Sequence, residues 1–202
     1  MVELFINGGN FMWPILAIFI VGLVFVGERL MHLISSSKWG EEFAGEVTDT
    51  LDSSGTLESQ NLCEQGQGPI ANLLLVGLNN VKKGVDGVEK AIDARANVEM
   101  SSLEKNMTWI ALCIATAPML GFLGTVWGMV SAFDAIAAAD NISAKIVAEG
   151  ISQALLTTAF GLVVAVILQV LQNTVLYIID NKVIAIQKSV NLFLASVEKL
   201  KK

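Results

Sequence analysis

Hydrophobic positions gather in three long runs, residues 11–30, 109–133 and 151–179, and the last two contain no Asp, Glu, Lys or Arg. The 25 residues from Trp109 to Phe133 would rise roughly 37 Å as a helix, enough to cross a bilayer with some tilt. Ahead of the first run, Gly8, Gly9 and Asn10 predict an irregular or interfacial start, with Trp13 as an interfacial anchor and Pro14 tolerated in the first helical turn. Glu28, Arg29 and His32 close that run and read as a solvated membrane exit.

Between the first two runs the pattern changes. Thr48 to Gly68 is rich in Ser, Thr, Gly, Asp and Gln and reads as a loop or weakly structured turn region. Ile70 to Val81 predicts an amphipathic helix with Ile70, Leu73, Leu74 and Leu78 on one face, and Gly84 and Gly87 punctuate the chain just beyond it. Val88, Ile92, Ala96, Met100 and Leu103 then recur at helical spacing, and the pattern predicts one long helix entering the second run without a break. Beyond Asp180, Val183, Ile186, Val190, Phe193 and Val197 keep that period, so the third run should leave the membrane as an amphipathic tail.

The expected fold class is an all-α membrane protein with three transmembrane helices, the second and third extended into the cytoplasm. Its segments are an N-terminal stretch with the first span (1–34), a cytoplasmic helical loop (35–106), the second span (107–139), a periplasmic connection (140–149), the third span (150–179) and a cytoplasmic helical tail (180–202). Of 13 Lys and Arg, only Lys145 falls between the second and third runs, and none precedes Arg29. The positive-inside rule therefore puts the N-terminus outside and the C-terminus in the cytoplasm. The first run has no basic flank before it, so no cleavable signal is expected.

Small residues mark one face of each of the last two spans. Gly121, Gly124, Thr125, Gly128, Ala132 and Ala135 share a face of the second, and Ala154, Thr158, Gly161 and Ala165 share a face of the third. Such faces let helices approach closely, which makes Gly121, Gly124, Gly128, Ala154 and Gly161 helix-packing candidates. Thr125 lies about 12 Å inside the outer end of its span and Thr158 about 10 Å inside its own, so the two hydroxyls share a level. Thr125 could bond back to the Gly121 carbonyl four residues earlier. Polar groups facing lipid are costly, so these faces should point at protein or water.

Composition narrows the function. The chain is 53% hydrophobic, and its net charge of −6 disfavours a nucleic-acid partner. Two distant cysteines and one histidine offer neither an expected disulfide nor a metal cluster. No nucleophile–base pair or phosphate loop is present, so an enzyme is not expected and no cofactor is called for.

The run Ala117-Pro-Met-Leu-Gly-Phe-Leu-Gly-Thr-Val-Trp-Gly-Met129 resembles the signature of the MotA/TolQ/ExbB proton-channel family, closest to its ExbB/TolQ branch. A second match, Glu149-Gly-Ile-Ser-Gln-Ala-Leu-Leu-Thr-Thr-Ala-Phe-Gly-Leu162, is similar to the family's third-span motif, P-G-I-A-E-A-L-x-A-T-A-x-G-L. The resemblance implies a bacterial inner-membrane protein that assembles as a homopentameric ring around the single-span helices of an ExbD/TolR-like partner carrying an aspartate in its span. A TonB/TolA-like protein would be a further partner. It also implies that ion flow, of H+ or Na+, is turned into mechanical work at the cell envelope.

Thr125 and Thr158 correspond to the family's pore-lining threonines, and Gln153 and Thr157 join them as pore-lining candidates. Gln153 stands where the family carries glutamate, Ile167 where it carries proline, and Glu149 where it carries the proline before Gly150. The two spans thus lack a carboxylate of their own. Ion binding would rest on hydroxyls here and an acid from the partner, and an oxygen-lined site of this kind could hold a partly dehydrated Na+. An alternating-access carrier and a passive membrane scaffold are the alternatives. The carrier would need internal repeats or broken helices, and only Pro118 could break a pore helix.

Overall fold

The structure is a computed structural model describing residues 2–35, 40–66, 68–138 and 144–200. Among the described residues it is helical throughout its regular structure: α1 (Val2–Asn7), α2 (Met12–Ser35), α3 (Glu41–Ser54), α4 (Thr56–Gln65), α5 (Pro69–Asn79), α6 (Val85–Leu103), α7 (Met107–Ala138) and α8 (Ala144–Leu200). A single 3-10 turn, Val81–Lys83, links α5 to α6. Three helical stretches are long and apolar enough to cross a membrane, and they contain the three apolar runs apart from Phe11. With its apolar spans and all-helical backbone, the chain is an all-α multi-pass membrane protein. Part of the expected loop (36–39), the last residue of the expected second span (139) and part of the expected connection (140–143) lie outside the described residues.

The chain forms two compact units. The first comprises residues 1–28 and 106–175, and so holds α1, α7 and most of the first and third spans. Its core joins Ile15 of α2, Cys113 and Ala117 of α7, and Val164 and Leu168 of α8, with Ile18, Phe19, Ile114 and Leu120 around them. Large apolar side chains such as Met119, Phe122, Val126 and Val166 remain exposed on this unit. That distribution suits a membrane span, because lipid accepts what water would reject.

The second unit comprises residues 29–105 and 176–202. Here the structure corrects the expected loop over Thr48–Gly68, which forms the second half of α3 and all of α4. Phe43, Val47 and Leu51 of α3 and Cys63 of α4 are buried, so a sparse apolar stripe does survive among the polar residues. The hydroxyls that suggested a loop bond back to their own helices instead: Thr48 to Ala44, Thr50 to Glu46, Ser53 to Asp49. Gly55, at φ 87°, separates the two helices and supplies a left-handed residue that a side chain would disfavour. Gly77 of α5 lies where the Phe193 ring of the α8 tail rests, so the tail packs on the α5 surface.

Two further expectations change. The helix entering the second span is broken at residues 104–106, where Asn106 adopts φ 65°. Asparagine tolerates that conformation, and its side-chain amide donates to the Glu28 carboxylate at 3.1 Å while its backbone carbonyl accepts from the Trp109 and Ile110 amides in the first turn of α7. Arg29 is not a solvated exit either. It is 2% exposed, and its guanidinium donates to the Ser102 carbonyl at 3.2 Å. The tail, by contrast, is continuous with the third span in one 57-residue helix.

Candidate functional site

The site begins where α7 and α8 touch backbone to backbone. A methyl group added at Gly161 would lie 2.6 Å from the Ala117 carbonyl oxygen, and one added at Gly121 would lie 2.9 Å from the Thr157 carbonyl oxygen and 3.0 Å from the Thr158 Cα. Gly124 faces the Thr157 side chain, Gly128 faces Ala154, and Ala132 faces Gly150. As the residue number rises on α7 it falls on α8, so the helices run antiparallel. All five helix-packing candidates thus lie in this seam, together with Gly150, which the small-residue faces did not include.

The hydroxyls bridge the seam. Thr157, 1% exposed, donates to the Ala154 carbonyl at 2.8 Å and reaches the Gly121 carbonyl at 3.3 Å. Thr158 donates to the same Gly121 carbonyl at 3.1 Å. Thr125 therefore turns from that oxygen and donates to Phe122 three residues back, at 2.6 Å, rather than to Gly121. A hydroxyl has one hydrogen and two lone pairs. With the hydrogens of Thr125 and Thr158 committed to carbonyls, their oxygens are left as acceptors.

The direction of each side chain follows from helical rotation. Thr125 comes one residue after Gly124, and Thr158 one after Thr157, so each is turned about 100° from the seam in the same sense along its chain. In an antiparallel pair that places both on the same flank, where each is half-buried. Gln153, one residue before Ala154, turns the opposite way. Its amide lies over Gly9, a residue with φ +72° whose missing side chain leaves room for it. Phe11 and Trp127 meet on this second flank, with ring centres 6.2 Å apart, and Gly22 of the first span receives Leu168 there.

The structure thus separates the four pore-lining candidates. Thr125 and Thr158 share the flank away from the first span, Thr157 is sealed in the seam, and Gln153 faces the N-terminal turn. Gly9 and Gly22 escaped notice because what they accommodate is distant in sequence, although the Gly8–Gly9 pair did signal a turn.

At the N-terminal end of α8 an open depression of about 500 Å³ is lined by Asn7, Lys145, Ala148, Glu149, Ser152 and Gln153. Lys145 and Glu149 form an exposed ion pair across it at 3.8 Å. No group of three potential metal ligands occurs among the described residues. α7 runs through Pro118, whose ring nitrogen offers no donor, so the Ile114 carbonyl lacks its usual partner four residues on. What the arrangement offers chemically is a set of neutral oxygens on one flank of a tightly closed helix pair.

Comparison with known proteins agrees with this architecture. The profile of the MotA/TolQ/ExbB proton channel family matches residues 65–188. A Methanothermobacter thermautotrophicus protein named as a biopolymer transport protein ExbB homolog is 32% identical over 182 residues, covering 90% of this chain and 64% of that protein. The Tol-Pal system protein TolQ of Haemophilus influenzae is 37% identical over 82 residues, 41% of this chain and 36% of its own. Biopolymer transport protein ExbB of Pseudomonas putida is 27% identical over 174 residues, 76% of this chain and 53% of its own. The matched part therefore spans from about a third to just under two thirds of these relatives' length.

Proposed function

The chain belongs to the MotA/TolQ/ExbB proton channel family, and on that premise we propose that it is the ring-forming subunit of an ion-motive-force-driven motor in the bacterial inner membrane. In this reading several copies, five by family resemblance, surround the single-span helices of an ExbD/TolR-like partner. H+ or Na+ flow is coupled through that partner to work at the envelope, delivered to a TonB/TolA-like protein. The N-terminus is periplasmic and the C-terminus cytoplasmic, which the distribution of Lys and Arg supports.

The observation that carries the reading is the placement of Thr125 and Thr158. They lie at one level on one flank, away from the first span, with their hydrogens bonded to backbone and their lone pairs left over. A hydroxyl needed only for packing would sit as Thr157 does, closed in the seam. Because neither span carries a carboxylate, the proton-binding acid belongs to the partner's aspartate, and Thr125 and Thr158 serve as neutral oxygens beside it.

The test is Thr125→Val, Thr158→Val and the pair, with gradient-driven activity measured alongside complex yield. Valine keeps the shape and removes the oxygen. One lost hydrogen bond costs about 1 kcal/mol or less, so assembly should survive. Activity should fall sharply in each single variant, with the pair little worse than the stronger single one. Full activity of the pair at normal yield would leave the seam as a scaffold.

A further inference from the structure

The third span carries a second polar group that the threonine site does not use. Gln169, Gln172 and Asn173 put three carboxamides within five residues of a run that holds no charge from Ile151 to Ile179. Gln169 donates to the Asn173 carbonyl oxygen at 3.1 Å and approaches the Gln172 oxygen at 3.5 Å. Gln169 and Asn173 are exposed and Gln172 is half-buried, so the cluster lies on the surface of the helix pair rather than inside it.

Its direction is the telling feature. Leu168 is buried in the core shared with the first span. Gln169, one residue later, is turned about 100° from it in the same sense that Thr158 is turned from Thr157. Eleven residues separate Thr158 from Gln169, about three turns, so the two stand on the same flank roughly 16 Å apart along the helix. Between them that flank of α8 presents Leu162 and Ala165, and the Pro118 ring of α7 lies at an intermediate level with the Ile114 carbonyl beneath it. Polar groups facing lipid are disfavoured, and three amides bonded to one another still have unused donors and acceptors.

We infer that Gln169, Gln172 and Asn173 form an inner station on the ion path, a neutral carboxamide site that holds a monovalent cation, alkali ion or hydronium, on its amide oxygens. The inference rests on the proposed conducting role of the Thr125 and Thr158 flank. It adds a second polar level, separated from the first by an apolar stretch. Neutral oxygen donors suit this position, since they can replace part of a hydration shell without trapping the ion as a carboxylate would.

The experiment uses the complex purified from its native membranes through this chain and reconstituted in liposomes, with a Na+-sensitive and a pH-sensitive dye as separate probes. Gln169→Leu combined with Asn173→Leu should lower gradient-driven flux at least about tenfold in complexes of normal mass, while Asn173→Gln, which keeps a neutral amide oxygen, should stay within about threefold of wild type. Thr174→Val is the control. Its hydroxyl bonds to the Val170 carbonyl on its own helix at 2.9 Å, and flux should not change. Loss seen with the Na+ dye assigns the station to an alkali ion, and loss seen with the pH dye assigns it to hydronium. Unchanged flux of both kinds in the double variant overturns the inner station and leaves the threonine reading standing. Absence of flux in the wild-type complex overturns both. If the double variant does not assemble, Asn173→Leu alone, at an exposed side chain, is read by the same criteria.

Discussion

Gly121→Ala tests the seam most directly, because the structure puts a magnitude on it. The new methyl would meet the Thr157 carbonyl oxygen at 2.9 Å and the Thr158 Cα at 3.0 Å. Both are backbone atoms, so no side-chain rotation relieves the contact. Ordinary carbon contacts lie near 3.5–4.0 Å, so α8 must retreat by about 0.5–1 Å. That retreat would carry the Thr157 and Thr158 hydroxyls, now 3.3 and 3.1 Å from the Gly121 carbonyl, beyond hydrogen-bond range. Overpacking of this kind costs about 1–3 kcal/mol, and interhelical hydrogen bonds in membrane proteins average about 0.6 kcal/mol each. Alanine returns up to about 1 kcal/mol through its better helix propensity, which leaves a net loss of about 1–3 kcal/mol. Thr158→Val, which removes one hydrogen bond and no space, should lose less than about 1 kcal/mol. Gly27→Ala, where a methyl would meet nothing within 4 Å, should be neutral or stabilising. Reversible unfolding in mixed detergent micelles, followed by helix circular dichroism, ranks the three. If Gly121→Ala proves as stable as Gly27→Ala, the helices do not approach as closely as described and the seam is not what holds them.

Two other expectations rest on the same structure. On the proposed function, the chain reconstituted without the ExbD/TolR-like protein should pass protons no better than protein-free liposomes, since neither α7 nor α8 offers a carboxylate within its span; strong proton flux from the chain alone refutes the division of roles. Cys63 is 2% exposed, and burial pushes its thiol up to about 11. In a Cys113→Ala background its alkylation should stay slow through pH 9 and speed up only near pH 11. The linkage has a definite sign: between about pH 9 and pH 11 the unfolded thiol has lost its proton and the folded one keeps it, so stability should fall as pH rises through that window. Fast alkylation of the native protein at pH 8 would contradict the burial.

The sequence made the spans legible because a bilayer demands long uncharged runs, and 109–133 and 151–179 could be little else. The glycine stripe was legible for a similar reason, since Gly121, Gly124 and Gly128 keep helical register. What a one-dimensional pattern cannot carry is the contact between distant residues. Thr157 and Thr158 are adjacent and chemically identical, yet one is sealed against Gly124 and the other turns to the flank, and only the partner helix decides which. The break at 104–106 was hidden because neither proline nor glycine marks it; Asn106 takes the place of a glycine there, steadied by Glu28. Thr48–Gly68 misled in the opposite direction. Its hydroxyls, read as turn formers, satisfy their own helix carbonyls, while Phe43, Val47, Leu51 and Cys63 supply the buried contacts.

Gln153 joins the fold to the proposed mechanism. At this position a glutamate would follow Glu149 by four residues, where like charges on a helix repel, and would press a charge onto the Gly9 backbone. The neutral amide avoids both, so the N-terminal end of α8 can serve as the seat of the N-terminal turn, held by Gly9's left-handed backbone and the absence of a side chain there. The consequence appears on the other flank. With Gln153 given over to packing on Gly9, the oxygens left facing away from the first span are hydroxyls and carboxamides, none of which takes up a proton near neutral pH. Such a surface can hold water or a cation, and it can lower the cost of a charge on a neighbouring helix, but it cannot by itself load and release protons. On the proposed function the ring is therefore a neutral track, and its use depends on where the partner's acid stands. A ring without its own acid would have no proton-loading site when the partner is missing, which would protect the membrane potential of a cell that makes the ring in excess.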